Sequence, residues 1–306
     1  MCPVHIFQRS VDHGVIFYED LDYLEYYMHV GTAARKYGVC VLSECEMINH
    51  VHKMVQTWNM SDISNFVGHS TRFFARAYNR YHNRTGPLFE EEFGRASKKT
   101  AKDIRTCNNY IENNAPEKQL VKNVQDYRWN YLYRYHTGMP QFSSSGSRAL
   151  KGAIRKVDAF RFQGKVLSYT YLHNKREALS NKEWQFLVEY ILWAYWYIDV
   201  KSIESYYDSY DNMLVAANSN NGAEHDIREN YDFRTYKPFY RMIEILNREG
   251  HNDPWNLPEA EQIRLIQKFE NNASVGHIAA FLHVRTQFVK SVIMDNYEMS
   301  RLVERY

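Results

Sequence analysis

48-INHVHKM-54 places His50 and His52 two residues apart, with Val51 between them. Alternate residues of a strand point to one face, so the two imidazoles would project together. Side by side and neutral, they can share a divalent metal. A pair of ligands alone is a weak signal, and a half-exposed strand carrying two of the 13 histidines accounts for it more simply. The flanks define the local fold. Residues 39–47 carry Val39, Val41, Cys45 and Met47 on one side of a strand, Ile48 and Asn49 make a turn, and 50–56 returns as a further strand.

Outward from this hairpin, 4–11 (VHIFQRSV) forms a first strand. Over 20–38, Leu21, Leu24, Tyr27 and Met28 recur at helical intervals and Gly38 supplies a stop. Residues 61–84 form a second helix with Phe66, Phe73, Phe74, Ala77, Tyr78 and Tyr81 on an apolar side. Arg72, Arg76, Arg80 and Arg84 recur every fourth residue as a basic stripe on another side. Gly86 and Pro87 end that helix, a fourth strand covers about 88–96, and a third helix runs from Thr100 to about Asn114. The order β-α-β-β-α-β-α predicts an α+β fold, a ferredoxin-like antiparallel sheet with its helices on one face.

A Gly/Ser-rich stretch, 143-SSSGS-147, suits a linker, and the chain beyond it is mainly α-helical. Ser180 and Glu183 form a capping-box pattern before an apolar helix over 184–198, and 217-ANSNNGAEHD-226 is a polar loop. The expected division is 1–138 and 148–306. The middle of the second part, about 148–250, shows only an aromatic-rich helical core.

With 306 residues and 44% hydrophobic residues, the chain can build real cores, which argues against global disorder. Aromatics reach 15%, including 25 tyrosines, and serve either packing or stacking on unpaired bases. A net charge of +2 is too small to argue for nucleic acid without local clustering. The four cysteines form no CxxC pair, which suggests reduced thiols and a cytoplasmic setting. The most apolar run, 186–198, contains Glu189 and falls short of a membrane span.

In 100-TAKDIRTCNNYIENNAP-116, Tyr110 and Asn114 lie one helical turn apart on the same face. If that helix packs beside the histidine strand, His50, His52 and Asn114 offer two nitrogens and an oxygen to a metal, next to a phenol that can act as nucleophile. An oxygen ligand and vacant positions suit Mg2+ or Mn2+. The plain alternative is a polar helix end in which Tyr110 packs and Asn114 caps.

His50-Val51-His52 resembles the His-hydrophobe-His (HUH) motif of single-tyrosine transposases, of the REP-associated and small insertion-sequence type. That family commonly has Met-Pro-Asn-His-Val-His where this chain has Met47-Ile48-Asn49-His50-Val51-His52. Its Tyr-Ile-x-x-Asn-Pro corresponds to Tyr110-Ile111-Glu112-Asn113-Asn114-Ala115. The segments 5-HIFQRS-10, 84-RTGPLFEEEF-93 and 127-YRWNYLYRY-135 are similar to further family stretches, in the same order. Two prolines are missing, at positions 48 and 115; every expected ligand and the nucleophile remain.

The resemblance implies an HUH core over about 1–138 that cuts and rejoins single-stranded DNA near hairpins through a 5′-phosphotyrosine on Tyr110. The metal ligands would be His50, His52 and Asn114. Arg72, Arg76, Arg80 and Arg84 would hold DNA phosphates, with Arg95 along the same groove, and Arg9 matches an arginine near the start of the family pattern. One tyrosine per chain means that two cuts need a homodimer or two successive events. Two rivals stand beside this: an HUH replication-initiator or relaxase nickase, and a domesticated hairpin-binding protein without productive cleavage.

Past the family-like region, 274-SVGHIAAFLHVRTQFVKSVI-293 fits a helix-turn-helix. Ile278, Ala279, Leu282, Val284, Val289 and Val292 occupy its core positions, and the small Ala279 allows close helix crossing. Arg285, Thr286, Gln287, Lys290 and Ser291 would then face DNA. His283 stands where glycine is usual, at a turn position needing positive φ.

Overall fold

The computed structural model describes residues 2–90, 92–141, 146–219 and 233–303, with side chains described as far as 296. Most of the expected 143–147 linker and most of the expected 217–226 loop therefore lie outside the described residues. Four strands, β1 (Val4–Arg9), β2 (Cys40–Met47), β3 (His50–Gln56) and β4 (Gly94–Ser97), form an antiparallel sheet in the order β2-β3-β1-β4. This is the ferredoxin-like order, with β1 and β3 inside.

Three helices cover the sheet: α1 (Asp20–Tyr37), α2 (Met60–Tyr81) and α3 (Ala101–Glu117). One face receives α1 and α2. There Lys53 Nζ donates to Tyr26 Oη at 2.7 Å, and Thr71 Oγ1 donates to Gln8 Oε1 at 2.9 Å. Across the other face lies α3, where Ser43 Oγ donates to Glu112 Oε1 at 3.0 Å. The expectation of helices on one face thus holds for α1 and α2, whereas α3 covers the opposite one. Continuous burial along β3 from His50 to Val55 is the consequence of having both faces covered.

Gly38 ends α1 in the left-handed conformation at φ 63°, as its position predicted. The second helix stops at Tyr81, short of the expected 84, because Asn83 and Gly86 take φ of 47° and 88°. The fourth strand is shorter than 88–96. Among the described residues, Phe89 makes only an isolated bridge to Ser10, and ladder pairing with β1 begins at Gly94. Gly94 has no room for a side chain, since a Cβ there would lie 1.9 Å from Phe7 Cζ.

The sheet face under α1 and α2 carries a buried charged layer. Glu44 and Lys53 are cross-strand partners with their charged ends 3.3 Å apart, and Arg134 adds a second cation 3.2 Å from Glu44. Tyr197 also donates to Glu44. Glu46 is wholly buried beside them, and its two oxygens meet no donor among the described residues. Burial, and then the negative charge of Glu44, push its carboxyl well above the usual carboxylate range.

The rest of the chain is helical, as expected: α4 (Tyr131–Thr137), α5 (Arg148–Phe162), α6 (Tyr169–Ala178), α7 (Asn181–Ala194), α8 (Val200–Glu204), α9 (Tyr210–Asn218), α10 (Lys237–Arg248), α11 (Glu259–Phe269), α12 (Val275–Leu282) and α13 (Thr286–Val303). The capping box forms at α7, where the Ser180 hydroxyl accepts from Glu183 N at 3.3 Å and the Glu183 carboxylate accepts from Ser180 N at 3.3 Å. That helix ends at Ala194, before the expected 198, because the chain turns to place Ile198 beside Val41 at the sheet edge. Its Trp184 and Tyr190 are buried, so the aromatic row there is packing. None of the four cysteines is in a disulfide. Among the described residues, no helix is long and apolar enough to cross a membrane.

Candidate active site

Strand register puts His50 opposite Arg9 and Met47, and His52 opposite Phe7 and Cys45. The two imidazoles share the face that α3 crosses, their ring centroids 4.9 Å apart. The start of α3 is held by a capping box: the Thr100 hydroxyl accepts from Asp103 N at 3.1 Å, and the Asp103 carboxylate accepts from Thr100 N at 3.0 Å. Halfway along, Tyr110 lays its ring edge-on to His52 at 5.5 Å. One turn on, Asn114 is also buried, and its Nδ2 donates to the carbonyls of Tyr110 (3.0 Å) and Ile111 (3.3 Å). The amide oxygen is the remaining polar end of that side chain. His50, His52 and Tyr110, singled out in the sequence, are therefore brought together, and Asn114 follows on the same buried helix.

Sequence reasoning missed His5. It lies on β1 beside Met54, and its Nε2 is 3.1 Å from His52 Nδ1. Its own ring stands edge-on to Tyr110 at 5.9 Å. Burial lowers the His52 imidazole to about 3, with the charges of Arg9, Lys53 and Lys118 acting in the same direction. The His5 imidazole is likewise lowered, first by burial and then by His52 and Lys98. Both rings are neutral at ordinary pH. In one of the two tautomers, His52 Nδ1–H donates to His5 Nε2 and leaves the lone pair on His52 Nε2, which is the form a metal ligand needs.

Asn49 does the same for His50. Its Nδ2 donates to the His13 carbonyl at 2.9 Å, which fixes the orientation of the amide and makes Oδ1 the atom 2.8 Å from His50 Nδ1. An amide oxygen only accepts, so the proton of a neutral His50 sits on Nδ1 and the lone pair on Nε2. The Tyr236 hydroxyl donates to the same oxygen at 3.0 Å. Among the described residues no group of three His, Cys, Asp or Glu side chains is arranged to hold a metal. Two imidazole nitrogens and an amide oxygen are a donor set that a divalent ion can take.

Besides Lys98, which acts on His5, two further cations act at this site. Arg9 lies on the histidine side of β1, and Lys118, at the end of α3, is buried and acts electrostatically on His52. Lys118 follows Tyr110 and Asn114 by further helical turns, and its Nζ donates to the Phe233 carbonyl at 3.2 Å. The remaining expected DNA contacts lie elsewhere. Arg72, Arg76 and Arg80 are exposed on α2, across the sheet from the histidines, so closeness in sequence is not closeness in space. Arg84 is taken up locally: it donates to Asn79 Oδ1, Gly86 O and Pro87 O, and its guanidinium covers the Trp255 ring at 4.7 Å. Arg95 pairs with Ile6 and so also points away from the histidine face.

The two helices expected near the end of the described chain are α12 and α13. His283 joins them in the left-handed conformation, φ 54° and ψ 40°. Ile278, Ala279, Leu282, Val289 and Val292 are buried, while Arg285, Thr286, Gln287, Lys290 and Ser291 are exposed. The turn is keyed into the first part of the chain. His283 Nε2–H donates to the Val15 carbonyl at 2.7 Å, its ring stacks on Trp255 at 3.9 Å, and Val15 N donates to Ala280 O at 3.1 Å. The segment 15–17 in turn bonds Ile48 O at the histidine hairpin through Ile16 N and Phe17 N.

Residues 2–114 match the family model described as "Transposase IS200 like". No curated protein matches the chain. A solved structure described as "Structure of the REP associates tyrosine transposase bound to a REP hairpin" is 13% identical, with a TM-score of 0.35, and the match covers 48% of this chain and 92% of that one. The matched segment holds His5, Arg9, the histidine hairpin and the tyrosine helix through Asn114. Residues 2–114 are thus similar to the IS200-like transposase family.

Proposed function

We propose that the protein is a metal-dependent DNA transposase that cleaves and rejoins single-stranded DNA near hairpins through a 5′-phosphotyrosine on Tyr110. The observation that carries this reading is the packing of the Tyr110 ring against His52, within the segment that matches the transposase family. In attack, Tyr110 Oη bonds to phosphorus and the bond to the 3′-oxygen breaks; the phenol loses a proton and the 3′-oxygen gains one. The reverse step, attack by a second strand's 3′-hydroxyl, releases Tyr110 and needs no ATP, because the phosphodiester energy is conserved in the intermediate.

The phenol's ordinary pKa near ~10 means that it must be activated at neutral pH. Arg9 and Lys118 are the groups suited to draw the phosphate in and offset its charge. His50, His52 and Asn114 would hold Mg2+ or Mn2+, with His5 and Asn49 setting the two imidazole tautomers. Such a bound ion supplies charge stabilisation at the scissile phosphate oxygens. Residues 1–138 would form the cutting domain and 148–306 a helical region. In that region Arg285, Thr286, Gln287 and Lys290 would contact duplex DNA. The setting for this chemistry would be the cytoplasm.

The deciding experiment is an adduct assay on labelled hairpin oligonucleotides taken from palindromes flanking the gene, with Mg2+ or Mn2+. Wild type should form a covalent DNA–protein product that Tyr110→Phe does not. Hairpin binding with no adduct under any of these conditions would favour the hairpin-binding rival. That rival has one observation behind it: Tyr110, His50 and His52 are all buried.

A further inference from the structure

Between the end of α3, the 119–129 segment and α10 lies a cavity of ≈ 420 Å3, within the ~300–1,000 Å3 range of small-molecule sites. Its walls are aromatic: Tyr127, Trp129 and Tyr240. Trp129 is held rigid because Tyr23 stacks on one of its faces at 4.2 Å and 6°. Two cations stand over the apolar floor, Lys237 and Arg241, one helical turn apart on α10. Both are exposed, and neither has an ion-pair partner among the described residues. The third cation, Arg128, is occupied by Glu189 at 2.9 Å and Asp20 at 3.7 Å. Glu244, at the rim, approaches Arg248 at 3.9 Å.

Flat aromatic walls with unneutralised cations beside them are the chemistry of a nucleotide: a base to stack and a phosphate to pair. We infer that this cavity binds one unpaired base of the DNA strand, with Lys237 and Arg241 on its flanking phosphates. The inference rests on the transposase reading and adds to it a site built partly from α10, outside the family-matched segment. Exposed Gln119 sits at the cavity edge, nine residues past Tyr110. From Tyr110 to the helix end at Glu117 the rise is about 10.5 Å at ~1.5 Å per residue, roughly three nucleotides at ~3.4 Å each, and Gln119 lies just past that end. The base in the pocket and the phosphate at Tyr110 can therefore belong to one strand.

The test uses the full chain carrying Tyr110→Phe, so that binding is read without cleavage. Hairpin oligonucleotides from the flanking palindromes, with ten-nucleotide single-stranded tails, are given one abasic site at a time. One or two adjacent tail positions should lose about 5- to 100-fold in affinity, the range of base–aromatic stacking. In Tyr240→Ala that loss should shrink to less than about twofold, on the same stacking argument. Lys237→Gln with Arg241→Gln, both on the surface and safe for folding, should lower the log–log salt slope by about 1.4. An abasic profile that is flat, or unchanged by these substitutions, overturns the inference. If the profile is flat while wild type still forms its adduct, the pocket fails and the transposase reading stands. A peak in the profile with no adduct keeps the pocket and sinks the cleavage reading. If no oligonucleotide binds, both fall.

Discussion

His82 and Asp253 are 171 residues apart in the chain and meet at 2.8 Å, imidazole Nδ1 to carboxylate Oδ2. The other nitrogen, Nε2, meets Asp22 at the same distance, so the ring carries two protons and ties α1, the end of α2 and the segment before α11 together. Burial alone would lower this imidazole, but Asp22 and then Asp253 outweigh it and raise the group to about 10.

A stability profile follows. A histidine whose folded value exceeds its unfolded value of ~6.5 contributes fully below that pH and loses its contribution as pH rises toward about 10. Urea midpoints at pH 6, 8 and 10 should fall across this window in wild type. His82→Gln should cost ~3–5 kcal/mol at pH 6, the usual penalty for stranding buried carboxylates, and should show a flatter profile. Equal slopes in the two proteins would refute the arrangement.

Glu46 shifts stability in the same direction, but through burial of a carboxyl rather than through ion pairs. Its folded carboxyl stays protonated above the unfolded value of ~4.3, so its stabilising share is present in acid and fades as pH rises from there. Glu46→Gln keeps a neutral side chain at every pH. It is expected to be more stable than wild type at pH 8, with the gap closing near pH 4. Chemical denaturation at the two pH values decides it, and a variant weaker at pH 8 than at pH 4 would contradict it.

His5→Phe removes the partner of His52 Nδ1 while keeping a ring of similar breadth. Outer-shell partners of this kind are worth about 10–100-fold in metal affinity or activity. The Mn2+ concentration needed for half-maximal adduct should rise by that factor, while metal-free hairpin binding stays within about twofold on the same view of the role. A loss of both together would make His5 a folding residue.

At position 14 the chain has no room for a methyl group: a Cβ there would lie 2.3 Å from His283 Cε1. Gly14→Ala should therefore dislodge the α12–α13 turn, with a loss of ~1–3 kcal/mol typical of overpacking. Limited proteolysis should then cut near residue 283 first. Unchanged melting and cleavage patterns would show that the turn can yield.

How much of this was legible depends on the range of the interaction. The histidine hairpin, α1 and α3 follow from local periodicity, and the register of two adjacent strands fixes which face His50 and His52 share. His283 was legible as well, since only the backbone of its own turn sets φ. What escaped is nonlocal. His5 is one apolar-strand position among several until β1 pairs with β3 and brings it to His52. Lys118 gains its place from Phe233, which lies 115 residues away. The arginine row is nonlocal in the same sense: its four-residue spacing is real, but only the sheet decides that α2 lies on the face away from Tyr110. The expected strand at 88–96 was too long for the same reason, since only pairing with β1 decides where the ladder begins, at Gly94.

The keying of His283 to Val15 spans 268 residues. Contacts so distant in sequence form late, after shorter-range elements have collapsed. During synthesis, the hairpin that carries His50 and His52 emerges with its Ile48 turn backed by a segment that still lacks its distal support. The backing of the His50–His52 hairpin is therefore complete only after residue 283 has left the ribosome.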